Sequence, residues 1–293
     1  VEKAQAFRRL WGCNVPTSDW PGENATTQFS PFPPVPTSPA YGMLWLATMS
    51  ALMLTFPEPD IALLTLDQPG SSTNLLSGSV RQEFSGQLVE LDARGDVAGL
   101  IVTSGKPGMF IAGADLKEFV AWIDRPDAEV VEHARRGQEL FGRLAAGDYV
   151  TVVAIDGVCV GGGAELAVWC DRRIMTRSEK TSLAFPEVKL GLFPGWGGTA
   201  RTPRMVGLFN AVELVTAGDP IDANAAQLMG LADDVVATRD QLVAAAVRMI
   251  RSEQVSQQFL DDRTKWSQPI EISDTELGFL GASASAYIQG QTK

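Results

Sequence analysis

Two glutamates stand in glycine-rich surroundings where a carboxylate could take part in acid–base chemistry. Glu165 follows three consecutive glycines in the segment GGGAEL, and Glu187 follows a proline in the segment PEVKLGLFPGWGG. A strand-like run, VTVVAID, precedes the first segment, so its glycines come where a strand gives way to a helix. The first N–H groups of a helix have no partner within the helix and carry positive partial charge. This position favours a negative oxygen, with the Glu165 carboxylate beside it.

A second segment offers backbone donors of the same kind. In GKPGMFIAGADLKEF the small residues 112–114 follow the strand-like run AGLIVTS and leave their N–H groups accessible. Asp115 and Glu118 have the D-x-x-E spacing of a cap and capping box for a helix that begins at Leu116. Two N–H donors from separate strand-to-helix connections are what an oxyanion hole requires.

Each of these features also has an ordinary structural interpretation. Glycines can form turns or pack a helix against a sheet. Glutamate is favoured in the first turn of a helix, so Glu165 could serve the helix alone. Glu187 could be an isolated surface residue. The patterns taken one at a time leave both interpretations open.

Composition excludes several classes of protein. The 293 residues carry a net charge of −11, so no basic field is present to bind a nucleic-acid backbone. The one histidine, His133, excludes a histidine-rich metal site and is expected to contact solvent or a neighbouring side chain on its helix. The patterns of a P-loop, a dinucleotide-binding fingerprint and a serine-hydrolase elbow are absent from the sequence. Cys13, Cys159 and Cys170 are expected to be free thiols.

Short apolar strands that alternate with amphipathic helices predict an α/β core. SALMLTF and DIALLTLD are expected to form a hairpin, and AGLIVTS and VTVVAID are expected to be buried strands. An apolar stripe predicts a helix within DAEVVEHARRGQELFGRLAAG, and three further helices follow residue 208. Residues 1–48 contain the proline-rich run SPFPPVPTSP and are predicted to be a poorly ordered extension. Residues 49–205 are predicted to be the core, and residues 206–293 a helical C-terminal region that ends as if truncated.

Taken together, FIAGADL, GGGAEL and PEVKLGLFPGWGGTARTPR resemble the crotonase superfamily, and within it the enoyl-CoA hydratases and isomerases. The resemblance covers about residues 50–255 in the family's order and spacing, and SSTNLLSG, around Asn74, resembles the segment after the family's first hairpin. It is greatest to the hydratase portion of the multifunctional α-subunits of fatty-acid β-oxidation. The resemblance implies an α/β fold of the ClpP/crotonase type, which is a spiral of repeated ββα units with a helical C-terminal region.

The resemblance also implies roles for individual residues. The oxyanion N–H groups fall on Ala114 and Gly162, and the catalytic carboxylates on Glu165 and Glu187. The implied reaction is reversible syn addition of water to trans-2-enoyl-CoA, which gives 3-hydroxyacyl-CoA. The alternatives are Δ3-Δ2-enoyl-CoA isomerisation, alone or together with hydration, and non-catalytic acyl-CoA binding. The expected substrate contacts are Ala112, Gly113, Asp115, Phe110, Gly161, Pro194, Gly195 and Trp196.

Partners and location follow from the same resemblance. A coenzyme A thioester is expected as substrate, with no metal or redox cofactor. The chain is expected to form a trimer or hexamer or to join a β-oxidation complex, in the bacterial cytoplasm and without a membrane span. Phe110, Phe193 and Trp196 either line an apolar tunnel for the acyl chain or pack in the core. The stretch after Trp266 resembles the segment that continues into a linking helix in the multifunctional subunits.

Overall fold

A computed structural model of the protein describes residues 50–121 and 125–291. These described residues form one compact unit, and the extension predicted at residues 1–48 lies outside them. The strands are β1 (Leu52–Glu58), β2 (Ile61–Leu66), β3 (Gly99–Ser104), β4 (Met109–Ile111), β5 (Val150–Ile155), β6 (Val158–Val160), β7 (Arg172–Thr176), β8 (Ser182–Ala184), β9 (Ile221–Asp222) and β10 (Asp234–Val236).

Helices follow most strand pairs, and two short 3₁₀ turns cover Pro186–Leu190 and Arg239–Gln241. The helices are α1 (Gly78–Arg94), α2 (Leu116–Val120), α3 (Asp127–Ala146), α4 (Gly162–Trp169), α5 (Gly198–Val206), α6 (Leu208–Ala217), α7 (Ala223–Met229), α8 (Leu242–Ser256), α9 (Gln258–Ser267) and α10 (Asp274–Gln291).

Two sheets alternate along the chain. The larger sheet has the order β1-β2-β3-β5-β7-β10 and the smaller sheet has the order β4-β6-β8-β9. Three times in succession, a strand of the larger sheet leads directly into a strand of the smaller one, in the pairs β3–β4, β5–β6 and β7–β8. After β4 and β6, one or two helices return the chain to the larger sheet, whereas β8 is followed by a 3₁₀ turn, α5, α6, β9 and α7 before β10. This repeat is the predicted ββα spiral.

The larger sheet is covered on both faces, which explains its continuous apolar strands. The predicted hairpin is confirmed, because β1 pairs antiparallel with β2 while β2, β3, β5, β7 and β10 pair in parallel. Every residue of β5 is buried. One face packs in the main core, and the other packs on Leu242, Ala246 and Ile250 of α8.

The remaining helices hold the strand ends in place. The apolar stripe predicted for α3 is buried as expected, at Val130, Ala134, Gly137, Phe141 and Leu144. The guanidinium of Arg263 on α9 donates to both carboxylate oxygens of the fully buried Asp171 at 2.7 Å. A charge-assisted pair of this kind is stronger than a neutral hydrogen bond, so it fixes α9 against the start of β7. No helix in the described part of the chain is long and apolar enough to cross a bilayer.

The capping box predicted for α2 is only half correct. The Asp115 carboxylate accepts from the Lys117 N–H at 2.8 Å, as a cap should. Glu118, however, accepts from the Gly78 N–H at 2.9 Å and faces the Arg81 guanidinium at 3.6 Å. The unpaired N–H at the start of α1 competes for this carboxylate, and sequence spacing carries no information about such a distant partner.

Candidate active site

The glycine run turns the chain from β6 into α4. Gly161 has φ 55° and ψ −126°, a conformation that residues with a Cβ rarely adopt. Its N–H donates to the carbonyl of Ala184 at 3.0 Å, which ties the turn to β8. Helix α4 then begins at Gly162, as predicted. Within residues 50–121 and 125–291 the Gly162 N–H donates no hydrogen bond.

The A-G-A loop, residues 112–114, lies directly beside this turn. Gly113 has φ 99°, and a Cβ placed on Gly161 would lie 3.5 Å from the Cα of Gly113. The next N–H, that of Ala114, also donates no hydrogen bond in the described part of the chain. Two unpaired N–H groups therefore come from adjoining loops, which is the arrangement that can hold a developing oxyanion.

A buried asparagine holds the A-G-A loop in position. The side-chain amide of Asn74 donates to the carbonyls of Leu66 and Phe110 and to Oγ of Ser104 at 2.9–3.1 Å. Its main-chain carbonyl accepts from the Ala112 N–H at 2.9 Å. The family resemblance marks Asn74 only as part of the segment after the hairpin. Its role as the link between three strand ends depends on tertiary contacts, for which the sequence has no local signal.

Glu165 lies on the first turn of α4 and is only 3% exposed. Its Oε1 accepts from the N–H groups of Trp196 at 2.7 Å and of Gly198 at 3.0 Å. Burial raises the pKa of Glu165 to about 8, with a further contribution from the nearby charge of Glu187, although the main-chain donors act in the opposite direction. Both of these hydrogen bonds go to Oε1, so Oε2 is the less engaged of the two oxygens.

Glu187 is held by the 3₁₀ turn that follows β8. Pro186 starts this turn and Gly191, in the left-handed conformation, ends it. Oε2 of Glu187 is buried and has no hydrogen-bond partner in the described part of the chain, while Oε1 lies 3.3 Å from where a Cβ on Gly161 would stand. Burial raises the pKa of Glu187 to about 7. Near neutral pH both glutamates can gain or lose a proton, as acid–base catalysts must.

The other expected substrate contacts have mixed placements. Pro194 is buried, and its carbonyl accepts from Thr199, while the carbonyl of Gly195 accepts from Gln138. Trp196 is 7% exposed and lies against Gly162. The substrate roles of these residues stay predictions.

The substrate contact expected at Phe110 does not agree with its burial in the structure. Its side chain, in the middle of β4 in the smaller sheet, is fully buried in the main core. Packing therefore accounts for Phe110, and no surface remains for an acyl chain. Phe193 is partly buried and packs on the same core.

Neither the two described cysteines nor His133 belongs to a metal site or a disulfide in the described part of the chain. Cys159 and Cys170 are buried free thiols, as expected, and burial raises the pKa of each. Cys13 lies outside the described residues. His133 is half-buried beside Arg81, with 3.4 Å between Nε2 and Nη1, which confirms the expected neighbouring side chain. In the described ranges no group of three or more His, Cys, Asp or Glu is placed to hold a metal ion.

Known proteins resemble this chain in sequence and in fold. Residues 58–260 match the family model described as enoyl-CoA hydratase/isomerase. The fatty acid oxidation complex subunit alpha of Vibrio campbellii is 39% identical over 191 residues, which are 65% of this chain and 27% of that protein. The chain thus spans about a quarter of the length of the curated relatives it matches.

Solved structures show the same similarity. DspI of Pseudomonas aeruginosa is 31% identical with a TM-score of 0.63, and the match covers 73% of this chain and 84% of that one. An enoyl-CoA hydratase from Bacillus anthracis is 25% identical with a TM-score of 0.64, and the match covers 82% and 91%. The crotonase fold implied by the sequence motifs is confirmed.

Proposed function

The chain belongs to the enoyl-CoA hydratase/isomerase family, and on that premise we propose that it adds water reversibly to trans-2-enoyl-CoA in fatty-acid oxidation. The observation that carries the proposal is the pair of unpaired N–H groups, of Ala114 and Gly162, beside two carboxyl groups with raised pKa values. Coenzyme A enters as part of the substrate, and the reaction draws on no further cofactor. An oligomer or β-oxidation complex and a cytoplasmic location belong to the same proposal.

The two N–H groups would act on the thioester carbonyl. When both donate to its oxygen, electron density moves from the conjugated double bond toward that oxygen, and Cβ becomes open to attack. Enolate charge then develops on the oxygen as water adds. One donor of this kind contributes roughly 3 kcal/mol to stabilisation of the transition state.

The two glutamates would handle the protons. As a carboxylate, Glu165 takes a proton from water while the water oxygen bonds to Cβ. As an acid, Glu187 gives a proton to Cα, and the enolate electron pair forms that C–H bond. Proton exchange from Glu165 back to Glu187 restores the starting state. Because burial brings both pKa values near neutral pH, the pair can hold one proton in either arrangement.

Isomerisation of a 3-enoyl-CoA to a 2-enoyl-CoA is the second candidate. The same oxyanion site would stabilise the dienolate, and a single carboxyl group would move a proton from C2 to C4. The buried, unpartnered Oε2 of Glu187 favours this candidate, because a proton shuttle needs one free oxygen and no bound water.

A spectroscopic assay separates the candidates. Loss of absorbance at the conjugated enoyl thioester band of trans-2-butenoyl-CoA, with a 3-hydroxyacyl product in mass spectrometry, supports hydration. Gain of that absorbance from a 3-enoyl-CoA supports isomerisation, and both changes together indicate dual activity. Binding of acyl-CoA in calorimetry without turnover of either substrate would overturn the proposal in favour of a binding protein.

A further inference from the structure

Trp196 contacts both halves of the proposed site. Its main-chain N–H donates to Oε1 of Glu165 at 2.7 Å. The six-membered ring of its indole lies against Gly162, where a Cβ would stand only 2.7 Å from Cζ3. The side chain thus lies next to the proposed oxyanion donor, and the main chain next to the proposed base.

Helix α3 packs against the five-membered ring of the indole, at the end away from Gly162. A Cβ on Gly137 would lie 2.4 Å from Cδ1 of Trp196, so only glycine leaves room for the ring there. Phe141 packs edge-on at 5.7 Å between ring centroids, and the Arg81 guanidinium lies 4.9 Å from the indole centroid. Rotation of the ring would displace one of these neighbours, so the indole forms a fixed wall.

Charged groups stand behind this wall. Arg81 pairs with Glu118 at 3.6 Å and lies within 3.4 Å of His133. An alkyl chain that moved the indole aside would have to pack against this ion pair and desolvate it. Desolvation of a charged pair is costly, so a longer acyl tail could extend only into the volume that the indole itself occupies.

We infer that Trp196 is a specificity-determining residue that closes the acyl end of the site and restricts the substrate to short 2-enoyl thioesters. The inference rests on the proposed function, because it takes the thioester oxygen to lie at Gly162 and the reacting carbons beside Glu165. It also takes the chain beyond Cβ to extend toward the indole, on the side of the carbonyl opposite the coenzyme A moiety. Leu76 narrows the same side, with Cδ1 3.3 Å from a Cβ position on Gly162.

Opening the wall should lengthen the accepted chain. In Trp196→Leu, and to a lesser extent in Trp196→Phe, the ratio of kcat/KM for trans-2-octenoyl-CoA to kcat/KM for trans-2-butenoyl-CoA should rise by about tenfold or more. Trp196→Phe keeps an aromatic ring packed against Phe141, so it tests the inference even if Trp196→Leu fails to fold. A ratio that stays at the wild-type value in both folded variants overturns the inference.

A glycine pair on α3 gives a matched control. Gly137→Ala should lower kcat/KM for trans-2-butenoyl-CoA, because the added methyl group pushes the indole toward Gly162. Gly142→Ala should keep wild-type kinetics, because its Cβ would make an ordinary 3.9 Å contact with Trp169. In the double variant Gly137→Ala/Trp196→Leu the loss should disappear, since the smaller side chain leaves room for the methyl group. A loss that persists in the double variant would show that the indole is not its cause.

Binding of saturated thioesters separates this inference from the proposed function. By calorimetry, Trp196→Leu should gain affinity for octanoyl-CoA and gain none for butyryl-CoA. This result supports the inference even if the wild type hydrates nothing, in which case the proposed function alone fails. Hydration by the wild type with no change in the chain-length ratio or in octanoyl-CoA affinity would overturn the inference alone.

Discussion

The main-chain N–H of Trp196 donates to Oε1 of Glu165 at 2.7 Å, and the N–H of Gly198 donates to the same oxygen at 3.0 Å. Both donors come from the glycine-rich segment that follows Glu187, so this segment positions the Glu165 carboxylate. One oxygen of Glu165 is fully engaged, and Oε2 is the oxygen left for a water or a substrate.

Glutamine in place of either glutamate should remove hydration while it preserves the fold. A glutamine side chain keeps an acceptor oxygen for the Trp196 and Gly198 donors, but it can neither take nor give a proton. We expect kcat for trans-2-butenoyl-CoA to fall by about 10²–10⁴-fold in Glu165→Gln and in Glu187→Gln. Glu213→Gln, at an exposed position on α6, is the control. Near-normal turnover in either site variant would contradict the assignment.

The rate of hydration should depend on pH as expected if Glu165 and Glu187 together must hold one proton. Burial raises the pKa of Glu165 to about 8 and that of Glu187 to about 7, both from 4.5. Below both values the pair carries two protons and has no base, and above both values it has no acid. A plot of kcat/KM against pH should therefore be bell-shaped with both limbs near neutral pH. A rate that stays constant down to pH values near 4.5 would exclude this arrangement.

Stability should change with pH in the opposite sense to that of an ordinary salt-bridged acid. The folded pKa of Glu165 exceeds the unfolded one, so between 4.5 and about 8 the native state holds more protons than the unfolded state. The free energy of unfolding therefore falls as pH rises through this window. Glu165→Gln lacks the contribution of Glu165 to this loss. Its stability relative to wild type should therefore rise by a few kcal/mol across the window, since a difference of one unit between the folded and unfolded pKa corresponds to about 1.4 kcal/mol.

Urea unfolding at the two ends of this pH window tests the stability prediction. Wild type and Glu213→Gln should lose stability in parallel as pH rises, while Glu165→Gln should lose less, because only Glu187 keeps a raised pKa in that variant. Parallel behaviour of all three proteins would mean that Glu165 titrates with an ordinary pKa in the folded state.

The backbone of the A-G-A loop should be more important for rate than for binding. Gly113 has φ 99°, so alanine there strains the loop and moves the Ala114 N–H. Gly70 has φ 70° with open space around its Cβ position, so Gly70→Ala carries a similar strain outside the A-G-A loop. We expect kcat to fall by about tenfold or more in Gly113→Ala, with KM little changed. Equal kinetics in the two variants would show that the loop does not carry an oxyanion donor.

The main-chain part of the site could be predicted from the sequence because it depends on local features. The glycines before Glu165 mark a strand-to-helix turn, and α4 begins at Gly162 where that pattern places it. The helix stripe of α3 and the hairpin of β1 and β2 depend likewise on short-range periodicity.

The side-chain environment of the site could not be predicted in this way. Asn74 bonds to a carbonyl 36 residues away, and Glu118 bonds to an N–H 40 residues away. Phe110 faces the core because of how β4 packs, and the place of Trp196 depends on an absent side chain at Gly137. Contacts at these separations leave no local pattern in the sequence.

A crystal structure of the full chain with an unreactive thioester analogue of trans-2-butenoyl-CoA measures most directly whether Ala114 and Gly162 bind one thioester oxygen while both glutamates face the adjacent carbons. We expect the carbonyl oxygen within about 2.7–3.1 Å of both N–H groups, with Cα and Cβ between the carboxyl groups of Glu165 and Glu187. A thioester oxygen that contacts neither N–H group, or a double bond out of reach of both carboxyl groups, would contradict the proposed mechanism.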